Sequence, residues 1–261
     1  MKVTLLGTGT STGVPVIGCG CRVCTSEDPR DRRLRCAARV QVQGLDILID
    51  VGPDFRQQAI RAGMRRLDAV LLTHHHFDHI AGLDDLRPFL FENRRPIPIY
   101  ARPNSAEVLR NTFSYIFQDR SYPGVANLCL KEVEGPFEVE SRYGSGARVR
   151  VEPIDVFHGT LPMLGYRIGR FAYLTDVSRI PEYSFERLQG LDVLVLNALR
   201  HEPHSTHFTL SEAVEAARRI GARQTYFIHM THTVLHAEED ALLPEGMALA
   251  YDGLSFEAAE V

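Results

Sequence analysis

Short apolar runs separated by glycine, proline and charged residues recur along the whole chain. Their length and their content of β-branched residues predict strands. The predicted strands are 2–7, 37–43, 45–50, 68–73, 97–101, 148–156, 164–168, 171–175, 192–197, 223–229 and 247–250. Apolar residues follow helical spacing in fewer places, and the predicted helices are 54–62, 104–117, 181–188 and 209–220.

The last predicted helix has the clearest boundaries. Thr209 precedes it, Glu212 follows three residues later, and Gly221 stands at its end. These are the signals of a capping box and of a glycine stop. Because the strands cluster and the helices are interspersed, the pattern favours an α/β (α+β) chain with two mixed sheets flanked by helices over one doubly wound sheet. The stretch 119–147, rich in glycine, proline and charge, is predicted to be an excursion loop near the functional site.

Length and composition restrict the class of protein. The chain has 261 residues and shows no internal repeat or flexible linker, so one domain over 1–261 is the simplest organisation. A net charge of −4 argues against nucleic acid as the partner. The chain enters a strand pattern at once, without an apolar leader, and no apolar run approaches the roughly 18 residues of a membrane span. We therefore expect a cytoplasmic protein that does not bind membranes.

A cluster of metal-binding side chains follows the predicted strand 68–73. His74, His76, Asp78 and His79 fall within six residues. Neutral imidazole and carboxylate suit zinc and manganese ions, and a loop at a strand end can turn several side chains inward. A catalytic metal keeps one position open for water, so four ligands this close together indicate two ions.

Three further potential ligands each stand at the end of an apolar run. His158 follows 155–157, Asp176 follows 171–175, and His229 follows 225–228. Taken singly, each could be a structural residue. Several strand ends on one rim of a sheet, however, form a rigid scaffold for a site, so their shared placement predicts ligands.

The order His-x-His-x-Asp-His, then a lone His, a lone Asp and a final His, resembles the metallo-β-lactamase superfamily over nearly the whole chain. This resemblance implies an αββα sandwich with the site on one edge. It also implies two divalent ions, zinc or manganese, that share a hydroxide. The implied ligands are His74, His76 and His158 for one ion, Asp78, His79 and His229 for the other, and Asp176 as the bridge.

Three cysteines in six residues, Cys19, Cys21 and Cys24, indicate a second kind of metal site. In a reducing compartment such a cluster is more typical of metal binding than of disulfides. A closed zinc site needs four ligands, so one more must come from elsewhere. Cys36 and His232 are the candidates. We favour His232, which would connect the N-terminal loop to the C-terminal rim of the predicted catalytic site. The zinc knuckle would be a small insertion at 18–36.

The glycine-rich segment 7–15 followed by this cysteine cluster resembles the PhnP-like phosphodiesterase branch of the superfamily. The resemblance implies hydrolysis of a small phosphodiester, of the kind found in cyclic ribose phosphates or nucleotides. In this branch a histidine before the helix at 209–220 acts near the leaving group, and His207 is the matching position. We therefore assign catalytic roles to His207 and Asp78, the latter through its metal.

Other residues are candidates for substrate contact. Arg33 and Arg35 belong to a basic run, 30–35, that could pair with a phosphate, although a solvated face is the simpler interpretation. His204 lies three residues before His207. Asp50 and Asp54 are predicted to anchor loops beneath the ligands.

Three alternatives stay open. An RNase Z-like endoribonuclease shares the motif, but no basic arm is visible in this acidic chain. A thioester or lactone hydrolase could use the same metal pair. A non-catalytic zinc protein conflicts with the complete ligand set. Exposed sheet edges of such a sandwich commonly pair two copies, so a homodimer is also left open.

Overall fold

The structure is a computed structural model that describes residues 1–117 and 124–260. In this part of the chain the strands form two seven-stranded sheets. The strands of the first sheet are β1 (Lys2–Gly7), β2 (Ala37–Val42), β3 (Leu45–Ile49), β4 (Ala69–Leu71), β5 (Ile97–Ala101), β6 (Leu128–Glu132) and the last strand of the chain, β14 (Ser255–Glu257). Those of the second sheet are β7 (Phe137–Glu140), β8 (Arg148–His158), β9 (Leu161–Ile168), β10 (Phe171–Leu174), β11 (Val193–Asn197), β12 (Gln224–Ile228) and β13 (Met247–Leu249).

Both sheets are mixed. The first has the order β14-β1-β2-β3-β4-β5-β6, antiparallel from β14 to β3 and parallel from β3 to β6. The second has the order β13-β12-β11-β10-β9-β8-β7, parallel from β13 to β10 and antiparallel beyond. Because β8 and β10 are both antiparallel to β9, and β10 to β12 run parallel, the carboxyl ends of β8, β10 and β12 share one edge.

Helices cover the outer faces of the sheets. The α-helices are α1 (Phe55–Arg61), α2 (Phe77–Ile80), α3 (Pro103–Thr112), α4 (Ser114–Phe117), α5 (Glu182–Arg187), α6 (Leu210–Ile220) and α7 (His236–Asp240). Short 3-10 helices occupy Pro29–Asp31 and Leu83–Leu90. At α6 the predicted capping box is present in both directions, and Gly221 ends the helix with a φ of 69°.

Three apolar cores separate four layers. The central core packs one face of each sheet against the other, with side chains such as Val40, Ile47 and Tyr173. A second core lies between the other face of the second sheet and α5 and α6. A third lies between the first sheet and α1 and α3. Alternate residues of β3 illustrate the division, because Ile47 joins the central core while Leu48 joins the helix-facing core.

The predicted fold class, two mixed sheets flanked by helices in an αββα sandwich, is confirmed. The prediction of an excursion loop over 119–147 is wrong, because residues 128–132 and 137–140 form β6 and β7, the edge strands of the two sheets; residues 118–123 lie outside the described part. The predicted helix 104–117 divides at Phe113. Among the described residues, no helix combines the length and the apolar character needed to cross a lipid bilayer.

Candidate metal centre

The loop after β4 brings the clustered histidines and Asp78 to the edge of the sandwich. Thr73 is buried and donates both its backbone N–H and its hydroxyl to Asp50, at 2.9 Å and 3.1 Å to Oδ1. The chain then turns into α2, a single helical turn that contains Asp78 and His79. His74 and His79 are fully buried, whereas His76 is exposed at the surface of the site.

One group of side chains joins this loop to the end of β8. One ring nitrogen from each of His74, His76 and His158 lies within 4.8 Å of the other two. The rings of His74 and His76 are 4.5 Å apart between centroids, and those of His76 and His158 are 4.9 Å apart. Three imidazoles with converging nitrogens can bind one divalent ion.

A second group joins α2 to the ends of β10 and β12. Ligand atoms of Asp78, His79, Asp176 and His229 lie within 4.8 Å of one another. Asp176 is central, since its Oδ2 is 3.1 Å from His229 Nε2 and its Oδ1 is 3.5 Å from His79 Nε2. The same carboxylate is also 3.8 Å from His74 Nε2 in the first group. It therefore lies between the two groups, where a bridging ligand would be.

Buried nitrogen atoms without partners test whether these residues suit metal ions. Nε2 of His74, of His79 and of His229 is buried and, despite the nearby Asp176 carboxylate, makes no hydrogen bond of normal geometry in the described residues. Burying a polar atom without a partner is unfavourable, and converging unpartnered imidazole nitrogens are the arrangement that a metal ion satisfies. The donor set fits divalent zinc or manganese.

The electrostatics of His74 and of Asp176 suit metal binding. Burial, with His79 nearby, holds the pKa of His74 well below its usual value, so this ring is neutral. Burial alone would raise the pKa of Asp176, but His229 and His79 outweigh it and hold that pKa well below its usual value. Neutral imidazole and ionised carboxylate are the forms that bind metals.

Contacts outside the ligand groups orient two of the rings. His79 Nδ1 lies 2.8 Å from Asp50 Oδ2, so the ring donates to the carboxylate and turns Nε2 toward the centre. His158 Nδ1 lies 2.8 Å from the backbone carbonyls of Asp176 and of Thr206. Such outer contacts fix the tautomer and the ring direction. The sequence predicted an anchoring role for both Asp50 and Asp54; in the described residues Asp54 makes no hydrogen bond to a candidate ligand and accepts from Arg35, at 3.1 Å from Nη1.

Backbone strain is also concentrated here. Asp50, Asp176 and His229 have φ values of 61°, 59° and 63°. Residues other than glycine rarely adopt this left-handed conformation, and it tends to persist at functional sites. The sequence gave no sign of this left-handed conformation, because an aspartate or a histidine at these positions looks the same as an ordinary turn residue.

His207 lies beside the bridging position. Its Nε2 is 3.3 Å from Asp176 Oδ2 and its ring is 4.5 Å from that of His158, between centroids. Burial lowers the pKa of His207 to about 4, although the contact with Asp176 opposes the shift. His204 is exposed, with its Nδ1 3.2 Å from Nδ1 of His207. The structure thus brings both predicted residues to the edge of the metal groups.

The three clustered cysteines lie around His232. Its Nδ1 is 3.3 Å from Cys19 Sγ, 3.4 Å from Cys21 Sγ and 3.7 Å from Cys24 Sγ. The other predicted candidate, Cys36, is buried elsewhere and donates to the Gly9 carbonyl at 3.3 Å. The geometry therefore favours a site of three cysteines and one histidine.

The expected contact between Arg33 and substrate is wrong. The Arg33 side chain is fully buried and donates to Asp31 at 3.1 Å, so it cannot reach a ligand in the metal centre. Arg35 is partly exposed, and it is tied to Asp54 and to the Ser11 carbonyl, the latter at 3.1 Å. Its Cβ packs near Gly52, which itself lies against the Asp78 backbone, so Arg35 stands close to the segment that carries Asp78.

Comparisons with known proteins agree with this geometry. The family described as "Beta-lactamase superfamily domain" matches residues 46–230. The crystal structure of a new diphosphatase from the PhnP family is 45% identical, with a TM-score of 0.88, over 98% of this chain and 97% of that one. An octanoyltransferase from Porphyromonas gingivalis is 44% identical over 97% of this chain and 51% of the relative, so the chain spans about half of its length. A ribonuclease Z from Mycolicibacterium gilvum is 26% identical over 92% of this chain and 87% of the relative. The chain belongs to the β-lactamase superfamily and, within it, to the PhnP family of metal-dependent hydrolases.

Proposed function

We propose that this protein hydrolyses a small phosphodiester, of the cyclic ribose phosphate or nucleotide type, at a pair of divalent ions. The observation that carries the proposal is the convergence of two ligand groups on Asp176, with unpartnered imidazole nitrogens in both. The likeness to a PhnP-family diphosphatase supports phosphorus as the atom attacked.

The ligand assignment follows the two groups. His74, His76 and His158 would hold one ion, and Asp78, His79 and His229 the other, with Asp176 shared. When bound, such ions supply Lewis acidity and make water a nucleophile near neutral pH. Either zinc or manganese suits these donors.

The chain's own residues orient the leaving group. His207 is held against Asp176 and, with a lowered pKa, is a neutral imidazole at pH 7. A neutral ring keeps one N–H, which points at Asp176 here; with Asp176 engaged by the ions, this N–H would be free to donate a hydrogen bond to the departing oxygen. His204, on the exposed side of His207, would contact the substrate, and Arg35 would be the candidate for its phosphate.

The cysteine group would hold one structural zinc. Cys19, Cys21, Cys24 and His232 supply a closed set of four ligands, which leaves no position for water. We propose that the knuckle at 18–36 is a structural insertion within one domain over 1–261. Its zinc would stabilise the loop that leads from β12 without taking part in hydrolysis.

The decisive experiment is an activity panel with a matched pair of variants. Asp78→Ala should abolish hydrolysis of bis(4-nitrophenyl) phosphate, because it removes a ligand of the second group while the sandwich stays folded. The control is Asp84→Ala, a partly exposed aspartate on the 3-10 helix after α2 that lies beside Arg87 and belongs to neither ligand group. Full activity of Asp78→Ala with one metal lost would contradict the two-metal proposal.

The same panel should include a diphosphate ester, since the solved relative is a diphosphatase. Cleavage of the diphosphate with no cleavage of phosphodiesters would move the assignment to that substrate class.

Relatives of the chain suggest two other functions. The ribonuclease Z relatives support transfer RNA processing, which a salt-sensitive gel shift with precursor transfer RNA would detect. The octanoyltransferase relative makes acyl chemistry worth testing, although only half of that protein is matched. Activity on thioesters with none on phosphodiesters would contradict our proposal.

A further inference from the structure

The two carboxylate oxygens of Asp176 have different neighbours. Oδ2 lies 3.1 Å from His229 Nε2 and 3.8 Å from His74 Nε2, so it faces one nitrogen of each ligand group. Oδ1 accepts a hydrogen bond from the Thr175 hydroxyl, at 2.7 Å, and lies farther, at 3.5 Å, from His79 Nε2. Thr175 belongs to neither ligand group. Among the described residues, it is the only side chain other than a histidine that bonds to this carboxylate.

The contact between Thr175 and Asp176 depends on how the chain leaves β10. Consecutive residues of an extended strand point to opposite faces of the sheet, so these two side chains would not meet if the strand simply continued. Asp176 instead adopts the left-handed conformation, with a φ of 59°. With this turn, its carboxylate meets the hydroxyl of the preceding residue. The unfavourable backbone conformation and the hydrogen bond therefore occur together at the bridging position.

The protein encloses Thr175 on all sides. The residue is fully buried, and its bond to Asp176 is the one hydrogen bond that its hydroxyl makes in the described part of the chain. Branching at Cβ limits threonine to few side-chain rotamers, so the hydroxyl is held in place. A hydroxyl that donates to an ionised carboxylate forms a charge-assisted bond, which is the stronger class of hydrogen bond.

A shared carboxylate needs such a restraint. The terminal torsion of aspartate has a broad preference, so the carboxylate can rotate unless a contact fixes it. A ligand shared by two ions must nevertheless present the same face to both groups. The hydroxyl of Thr175 occupies Oδ1 and leaves Oδ2 between the nitrogens of His229 and His74.

We propose that Thr175 is a positioning residue that holds the Asp176 carboxylate with Oδ2 toward both ligand groups. The inference rests on the proposed pair of ions, and it assigns the orientation of their shared ligand to a residue that binds neither ion. Without the hydroxyl, the carboxylate can turn toward one group alone. One of the two ions then binds more weakly, and the pair is no longer held at a single spacing.

Substitutions at Thr175 separate the hydroxyl from the rest of the side chain. Thr175→Val keeps the branched shape and removes the hydroxyl, whereas Thr175→Ser keeps the hydroxyl. Thr175→Ala removes the hydroxyl with a smaller side chain and replaces the valine variant if that variant fails to fold. The matched control is Thr225→Val, which alters another buried threonine, in β12, that belongs to neither ligand group.

Manganese binding is measured on protein whose cysteine group is loaded with zinc. Titration at buffered free manganese gives the affinities of the two ions. Electron paramagnetic resonance, in which zinc is silent, distinguishes two manganese ions coupled through a shared ligand from isolated ions. We expect two coupled ions in the wild type, in Thr175→Ser and in Thr225→Val. Thr175→Val and Thr175→Ala should bind the weaker ion about 10- to 100-fold less tightly and lose the coupled spectrum.

Two results would overturn the proposal. One is a Thr175→Val protein with the affinities and the coupled spectrum of the wild type. The other is an equal loss in Thr175→Ser and Thr175→Val, because that would show that the shape of the side chain matters and the hydroxyl does not.

Metal binding also separates this inference from the proposed hydrolysis. A wild type that binds two coupled ions but cleaves neither phosphodiesters nor diphosphates would refute the proposed function, while the comparison of the Thr175 variants would still decide the positioning role. A wild type that binds only one manganese ion in the two ligand groups would contradict both.

Discussion

Asp50 contacts two ligand-bearing segments at once. It accepts from Thr73, which precedes the histidine loop, and from the ring of His79. It does so from a backbone conformation with φ of 61°, which is unfavourable by roughly 1–3 kcal/mol for residues other than glycine. The surrounding contacts therefore hold both the residue and the ring that it orients.

Replacing this carboxylate should weaken the second ion. Asp50→Asn keeps the size of the side chain, and asparagine tolerates the left-handed conformation. It removes the charge that the His79 ring faces, so we expect the affinity for the second ion to fall about 10- to 100-fold. Zinc content measured at buffered free zinc would reveal the change. Asp54→Asn, which alters a carboxylate bound to Arg35, should retain its metal; unchanged affinity in Asp50→Asn would argue against the orienting role.

His207 should matter most for poor leaving groups. In His207→Gln we expect hydrolysis of an alkyl phosphodiester to slow by about 10²-fold or more, because alkoxide departure needs a hydrogen-bond donor. A 4-nitrophenyl ester, whose leaving group is stable as an anion, should be affected less. The comparison is kcat for the two esters at full metal content. An equal loss on both esters would instead indicate a role in metal binding.

Not every residue role could be predicted from the sequence. The spacing of His74 to His79 and the strand-end residues at 158, 176 and 229 were enough to indicate a shared site, and the structure does bring them together. Arg33 was misjudged because a basic run does not reveal which of its members is buried. The alternative between Cys36 and His232 depended on a contact across more than two hundred residues, which spacing alone cannot decide.

At the scale of elements, the predictions were most accurate where local signals are strong. The hairpin of β2 and β3 and the capped helix α6 were predicted within one or two residues. β6 and β7 were missed because they are edge strands with charged and exposed residues. β14 is three residues long and half-exposed, and only its pairing with β1 defines it. Tertiary pairing rather than local propensity determines such strands.

The loop after β3 packs closely against α2, and glycine makes this possible. A Cβ on Gly52 would overlap the backbone oxygen of Asp78. We expect Gly52→Ala to push α2 outward, to lower the melting temperature and to reduce the metal content together. Gly135→Ala is the control, because a Cβ added at Gly135 would meet no other atom of the described chain within 4 Å. Metal content and melting temperature equal to those of the wild type in Gly52→Ala would show that this contact is not required.

At the scale of the whole molecule, the cysteine group links distant parts of the chain. Cys19, Cys21 and Cys24 come from the loop between β1 and β2, and His232 follows β12 by a few residues. The Thr10 N–H donates to the Met230 carbonyl and the Met230 N–H donates to the Thr8 carbonyl, each at 3.2 Å, and these bonds continue the same connection toward His229. The cysteine group therefore connects the loop between β1 and β2 to the segment that follows β12.

Loss of one thiolate should separate structure from catalysis. Cys21→Ser should lower the zinc content by one ion per chain and the melting temperature by about 5 °C or more, since a structural zinc contributes folding free energy. Cys129→Ser, in β6 and outside the cysteine group, should leave both unchanged. Normal zinc content in Cys21→Ser would contradict the four-ligand assignment.

The pairing of the first strand with the last has a consequence for biosynthesis. β1 is completed on one side only when β14 arrives, and the Met1 amino group donates to the Ala258 carbonyl at 2.8 Å. His229 and His232 likewise follow the histidine loop and the three clustered cysteines by about 150 residues or more. A nascent chain therefore presents its histidine loop and its thiols long before His229 and His232 are made, and neither proposed metal site can be completed before that point.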